Sequence, residues 1–245
     1  MPEHDPIDRK RRAFIGASGA LILSASLPGR ASAQSKLKIG VIGSGHIGGT
    51  IGGLWVKNGH RVLFSSRHPE ELKDMVAGFG ELAQAGTVDQ AIAFSDVLFI
   101  AVPYAALPQI GQDYGAAIKG KIMLDACNAT PARDGAPIAD EVEKEGIGVV
   151  SQKYLPGTRL VRAFNTMNYM IFAKEANRPA PRLAIPIAGD DEAAVQVADI
   201  LVRDAGFDPV VVGRLADAKR FQRGGPGYGQ QVTAAELRQK LSLTQ

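Results

Sequence analysis

Apolar residues along the chain fall either in short solid runs or in stretches where they recur every three or four positions. Solid runs over 37–42, 61–64, 97–102, 121–126, 160–164, 183–188 and 208–212 predict strands buried on both faces, as in a parallel sheet. A weaker strand is predicted over 81–86. Helical spacing begins at His46 and runs through Ile51, Leu54 and Trp55, then returns over 70–79, 88–94, 104–118 and a long stretch ending at Ala205. Asp190 and Asp191 precede that last helix and read as capping carboxylates. Beyond residue 213 come a short helical segment ending near Gln222, an irregular glycine-rich loop over 223–229 and a capped helix over 233–241. Strands alternating with helices predict a doubly wound α/β sheet with a small C-terminal extension over 213–245.

The turn after the first strand reads Gly43-Ser44-Gly45-His46-Ile47-Gly48. In a strand–turn–helix setting, Gly43 permits the tight turn, Gly45 lets backbone amides approach a pyrophosphate, and Gly48 allows the helix to pack closely on the strand. The helix N-terminus would then hold the phosphates. With the second strand completing a βαβ unit, the pattern predicts a Rossmann-type dinucleotide-binding domain over 36–245. An NAD-preferring site carries an acidic residue at the end of the second strand to accept from the ribose 2′-hydroxyl. Here that end reads Ser65-Ser66-Arg67-His68, and the first carboxylate is Glu70. Hydroxyls and a guanidinium suit a 2′-phosphate, so NADP(H) is the expected cofactor; the alternative is that Arg67 is an ordinary solvated residue. Ala101, Val102 and Pro103 end another strand at the expected crevice, although Pro103 serves equally well as a turn proline. Asn128, after the strand over 121–126, suits a ribose or a nicotinamide amide.

Residues 1–33 have a different character. A basic cluster is followed by a weakly apolar run over 13–27 and by Ala31-Ser32-Ala33, the layout of a cleavable secretory signal. Adjacent Arg11 and Arg12 give it the form of a twin-arginine signal. Such signals export proteins already folded, so a periplasmic or otherwise exported protein that acquires its cofactor in the cytoplasm is expected, with the twin-arginine export machinery as a partner.

Composition removes several function classes. Two of the three net positive charges fall in residues 1–33, leaving no basic footprint for nucleic acid. A single cysteine, Cys127, excludes an internal disulfide, and it reads as a small buried residue rather than a nucleophile. The four histidines, His4, His46, His60 and His68, all precede residue 70, which argues against a His-based triad or metal site. Asp125 reads as a turn acceptor in preference to a base.

Lys38-Ile39-Gly40-Val41-Ile42-Gly43-Ser44-Gly45, Ser65-Ser66-Arg67, Ala101-Val102-Pro103, Val161-Arg162-Ala163-Phe164-Asn165 and Ile185-Pro186-Ile187-Ala188-Gly189-Asp190 together resemble the NADPH-dependent oxidoreductases that reduce the deazaflavin coenzyme F-420. The chain is similar also to the NADPH-binding domain of six-transmembrane metalloreductases. The resemblance spans residues 37 to about 215. It implies hydride transfer between NADP(H) and a flavin- or deazaflavin-like acceptor, with Asn165, Thr166 and Met167 on the acceptor side and Pro103 and Asn128 lining the nicotinamide. Transfer between two stacked rings needs proximity and orientation rather than a protein acid or base. Two other readings stay open: a dehydrogenase or imine reductase acting directly on a small substrate, with Asp125 or Tyr104 as its proton donor, and a non-catalytic dinucleotide-binding module. A homodimer is left open as well.

Overall fold

Five of the apolar runs and the weaker strand lie side by side as parallel strands in the computed structural model, which describes residues 36–243; the export signal expected over residues 1–33 lies outside them. These are β1 (Lys38–Ile42), β2 (Arg61–Ser65), β3 (Ala83–Gly86), β4 (Val97–Ile100), β5 (Ile122–Asp125) and β6 (Arg159–Arg162). With β7 (Ala184–Gly189) and β8 (Asp208–Gly213) they form an eight-stranded sheet in the order β3-β2-β1-β4-β5-β6-β7-β8. The winding reverses between β1 and β4, and in such sheets ligands bind outside the carboxyl ends of the strands at that reversal. The Rossmann-type reading holds, with one difference at the far edge: β7 runs antiparallel to β6, and β8 follows β7.

The strands alternate their side chains between two apolar layers. Val97 and Phe99 join one buried cluster, while Leu98 and Ile100 join the other. The first layer packs α1 (His46–Lys57), α2 (Lys73–Phe79), α8 (Tyr169–Glu175) and α9 (Glu192–Asp204) against the sheet; the second takes α3 (Val88–Phe94), α4 (Leu107–Ile118), α6 (Ala136–Glu145), α7 (Ile147–Tyr154) and α10 (Ala234–Lys240). Phe164 stands at the centre of the first layer, with Trp55, Phe99, Phe172 and Phe207 at ring separations of 5.8, 5.9, 5.8 and 6.3 Å. Its backbone adopts φ 59°, a left-handed conformation that costs a bulky residue about 1–2 kcal/mol. Burial of the ring offsets that cost at about 1.5–3 kcal/mol. The bend ends β6 at Arg162, short of the predicted 164, and directs Asn165 toward the carboxyl end of the sheet.

Side-chain caps set several helix starts. Thr87 and Thr233 form capping boxes with Gln90 and Glu236, and Asn168 and Asp191 accept from Ile171 N and Ala194 N. Asp190 does not cap that helix; its Oδ1 accepts instead from Arg214 Nε and Leu215 N. The helices predicted over 70–79 and 104–118 each open with a 3-10 turn, at Pro69–Leu72 and Tyr104–Ala106. The short α5 (Pro131–Asp134), α6, α7 and α8 have no counterpart in the sequence reading. Gly135 and Gly146, at φ 86° and 89°, punctuate the 131–154 stretch into pieces too short to show periodicity. The C-terminal extension folds back on the sheet: a 3-10 turn over Leu215–Arg220 packs against α7, and Val232 O accepts from Ala184 N at the start of β7. No helix among the described residues is long and apolar enough to cross a membrane.

Candidate functional site

The carboxyl ends of β1, β2, β4, β5 and β6 open onto one crevice, and each contributes a turn. After β1, the three glycines do three different things. Gly43 sits at φ 92°, where a Cβ would lie 2.6 Å from Ala101 O. A Cβ on Gly48 would lie 1.9 Å from Gly43 O, so helix and turn touch through backbone alone. A Cβ on Gly45 would meet nothing within 4 Å. Gly45 is also the N-cap of α1, no side chain caps it, and the first turn carries no acidic residue. Open space before uncapped helical amides is what a pyrophosphate requires, and residues 43–48 fit it. His46 stacks on Tyr169 at 4.2 Å, and Ile47 packs against the apolar layer beneath. A groove of about 630 Å³ runs from Ser44 along the outer face of α1 between Met75, Phe79 and Ala173.

At the end of β2, Ser65 is fully buried with its hydroxyl donated to Val41 O, and Ser44 donates its own to Ser65 O. Both hydroxyls are therefore engaged by the sheet. Ser66 is half-buried and its Oγ accepts from His68 N, while Arg67 and His68 are exposed. At the end of β4, Ala101 and Val102 are half-buried and Pro103 is exposed.

The turn after β5 is the most heavily tied. Asp125 and Arg162 are both fully buried and form an ion pair. Asp125 Oδ1 accepts from Cys127 N at 2.8 Å, and Arg162 Nη2 donates to Cys127 O at 2.6 Å. Burial, and then the neighbouring Asp125, push the Cys127 thiol well above its ordinary range, which holds it as an inert thiol. Asn128 Nδ2 donates to Asn165 O at 2.6 Å; Asn165 Nδ2 faces Asn128 Oδ1 at 3.4 Å and Phe221 O at 3.2 Å. Gly229 N donates to Thr166 O. Asn165, Thr166 and Met167 are thus all buried, with Asn165 Oδ1 and Thr166 Oγ1 left without a hydrogen-bond partner.

Between the two segments that Asn165 joins lies a cavity of about 640 Å³. Its walls come from the β5 turn at Ala129 and Pro131, from α6 and α7 at Val142, Glu143 and Ile147, and from the extension at Gln222, Arg223 and Tyr228. None of Asn165, Thr166 and Met167 lines it; Asn165 meets Asn128 and Phe221, and Thr166 meets Gly229, each the chain neighbour of a lining residue. Asp125 and Tyr104 are enclosed too. Tyr104 hydrogen-bonds Ser151 Oγ and Ile147 O, and burial together with the Asp125 charge pushes its hydroxyl far above the ordinary range. Neither is placed to donate a proton to a substrate. Among the described residues no group of three or more His, Cys, Asp or Glu is placed to hold a metal ion.

Residues 38–129 match the family described as NADP oxidoreductase, coenzyme F420-dependent. The chain is also similar to metalloreductase STEAP3 of Rattus norvegicus, 27% identical over 192 residues, which are 76% of this chain and 36% of that protein. It therefore spans about a third of that relative's length. Among solved structures, a hypothetical protein from Sinorhizobium meliloti superposes with a TM-score of 0.69 at 24% identity, covering 81% of this chain and 96% of that one. A proposed F420-dependent NADP reductase from Arthrobacter sp. FB24 gives 0.63 at 22%, covering 75% and 87%. At these identities the structural likeness is one of fold. The chain carries an NAD(P)-dependent oxidoreductase fold.

Sequence reasoning missed Asp134, which has no motif around it. Its buried carboxylate accepts from Thr130 N and Ala105 N, joining the turns after β5 and β4, and Arg133 lies against it while also donating to Asn128 O. Burial alone would raise this carboxyl, but Arg133 and the two amides together hold it below its ordinary value of 3.8. A lowered value means that the ionised form stabilises the fold above the ordinary carboxylate range and that the contribution fades as pH falls through the lowered value. Asp134→Asn should cost about 2 kcal/mol in urea unfolding at neutral pH. The gap from wild type should shrink below about pH 4; a gap that does not change with pH would contradict this role.

Proposed function

We propose that the protein is an NADP(H)-dependent oxidoreductase that moves hydride between the nicotinamide and a flavin- or deazaflavin-like acceptor. The observation that carries this reading is the open, uncapped approach at Gly45, with exposed Arg67 at the neighbouring strand end. Residues 43–48 would hold the pyrophosphate. Ser66 and Arg67 would hold the 2′-phosphate, and the end of β2 lacks the carboxylate that an NAD site uses. NADP(H), when bound, supplies or accepts the hydride. Ala101, Val102, Pro103 and Asn128 stand at the ends of β4 and β5, on the nicotinamide half of the crevice.

The acceptor's place is the cavity beside Ala129 and Tyr228, whose volume falls in the range of ring-sized ligand sites. The enclosure of Asp125 and Tyr104 favours transfer between two rings over direct reduction of a substrate that needs a protein proton donor. The family of residues 38–129 and the similarity to a metalloreductase support the same reading.

Titration with NADPH and NADH tests the cofactor assignment. Arg67→Asp should weaken NADPH by a few kcal/mol while leaving NADH nearly unchanged. Equal NADPH affinity in the two proteins would overturn it. We propose further that residues 1–33 are a twin-arginine export signal and that the folded protein reaches the periplasm. Cell fractionation should find wild type exported and the Arg11→Lys, Arg12→Lys variant retained; wild type confined to the cytoplasm would overturn the export proposal.

A further inference from the structure

Asp125 and Arg162 hold the same register on neighbouring parallel strands, so their side chains project together from one face of the sheet. The pair is fully enclosed. Taking two charges out of water costs several kcal/mol per ion, and a well-packed apolar pair would stabilise a fold at least as well. Stability alone therefore gives this pair no reason to be there. Its geometry gives one. Asp125 takes the amide of Cys127 and Arg162 takes the carbonyl of the same residue, so one ion pair grips one residue from both sides. The next residue is Asn128, whose side chain meets Asn165, and Asn165 reaches Phe221 in the C-terminal extension.

We infer that Arg162, with Asp125, is a positioning residue that sets the Cys127–Asn128 turn and through it holds the C-terminal extension over the nicotinamide half of the crevice. The inference rests on the oxidoreductase reading above for its catalytic consequence, though not for the clamp itself. Arginine is specifically suited to the task. Its planar fork spans a carboxylate and a carbonyl at once, whereas a lysine ammonium is a point charge that would keep the ion pair and lose the bridge. The clamp lies on the opposite half of the crevice from Gly45 and Arg67, so it acts on orientation more than on phosphate binding.

Three variants separate positioning from mere stability: Arg162→Met, Arg162→Lys, and the double variant Asp125→Leu/Arg162→Met. The single Arg162→Met strands a buried carboxylate and is expected to be the least stable, while the double variant should recover most of that loss in urea unfolding. Hydrogen exchange on the folded proteins then reads the clamp directly. The Cys127 and Gly229 amides, which donate to Asp125 Oδ1 and Thr166 O, should exchange faster in both Arg162→Lys and the double variant than in wild type. Single-turnover oxidation of NADPH with FMN as the probe acceptor should slow at least about tenfold in both, because misplaced rings lose rate steeply. NADPH affinity should stay within about twofold, as expected for a distant site. Wild-type protection at those amides in the double variant, or in Arg162→Lys should the double variant fail to fold, would overturn the clamp. Wild-type turnover in a variant that has lost protection would overturn its positioning role. If wild type binds NADPH and reduces neither FMN nor a deazaflavin, the oxidoreductase reading fails while the exchange result still decides the clamp.

Discussion

Gly48 lies so close to Gly43 that one added methyl carbon would sit 1.9 Å from a carbonyl oxygen, and that approach brings the first turn of α1 against the end of β1. The rest of the crevice depends on it. With the helix start held there by backbone contact alone, its uncapped amides face the open space at Gly45. The reversal of winding between β1 and β4 then sets the ends of β4, β5 and β6 beside that space. The proposed function rests on this geometry, with an anion at one end and a planar ring at the other.

The two halves of the crevice are built by different means. On the phosphate half, glycines remove side chains and leave backbone and one exposed guanidinium. On the other half, buried and half-buried polar side chains are spent on the protein itself: Asp125 with Arg162, Asn128 with Asn165, Asp134 with two amides. These contacts hold three turns and the C-terminal extension in fixed relation. They leave neither Asp125 nor Tyr104 free for proton transfer, which is consistent with a reaction whose demands are proximity and alignment.

The strands and the phosphate turn were legible in the sequence because their signals are local. A solid run such as Val97 to Ile100 needs no partner to be recognised, and the glycine spacing over 43–48 carries its own steric meaning. Short helices were not legible where Gly135 and Gly146 cut the chain into pieces of three turns or fewer. The reversed direction of β7 was missed as well, since the apolar run over 183–188 looks the same in either orientation. At the site, a motif identified Asn165, but its burial beneath the cavity rather than on its wall depends on Phe221, 56 residues later. Separation along the chain hid Arg162 as well: an arginine within a strand gives no sign of the carboxylate that will lie beside it. Ser65 shows the converse, a hydroxyl that the sequence offers to a ligand and the sheet takes for itself.

The central claim is that this crevice aligns two rings and supplies no protein acid or base. The pH dependence of the hydride-transfer rate constant in single turnover, with NADPH and FMN, tests it most directly. The account predicts a rate constant that is flat from about pH 6 to 9. A bell or a sigmoid in that range, absent from the uncatalysed reaction of the same two compounds, would reveal a titrating protein group and contradict it.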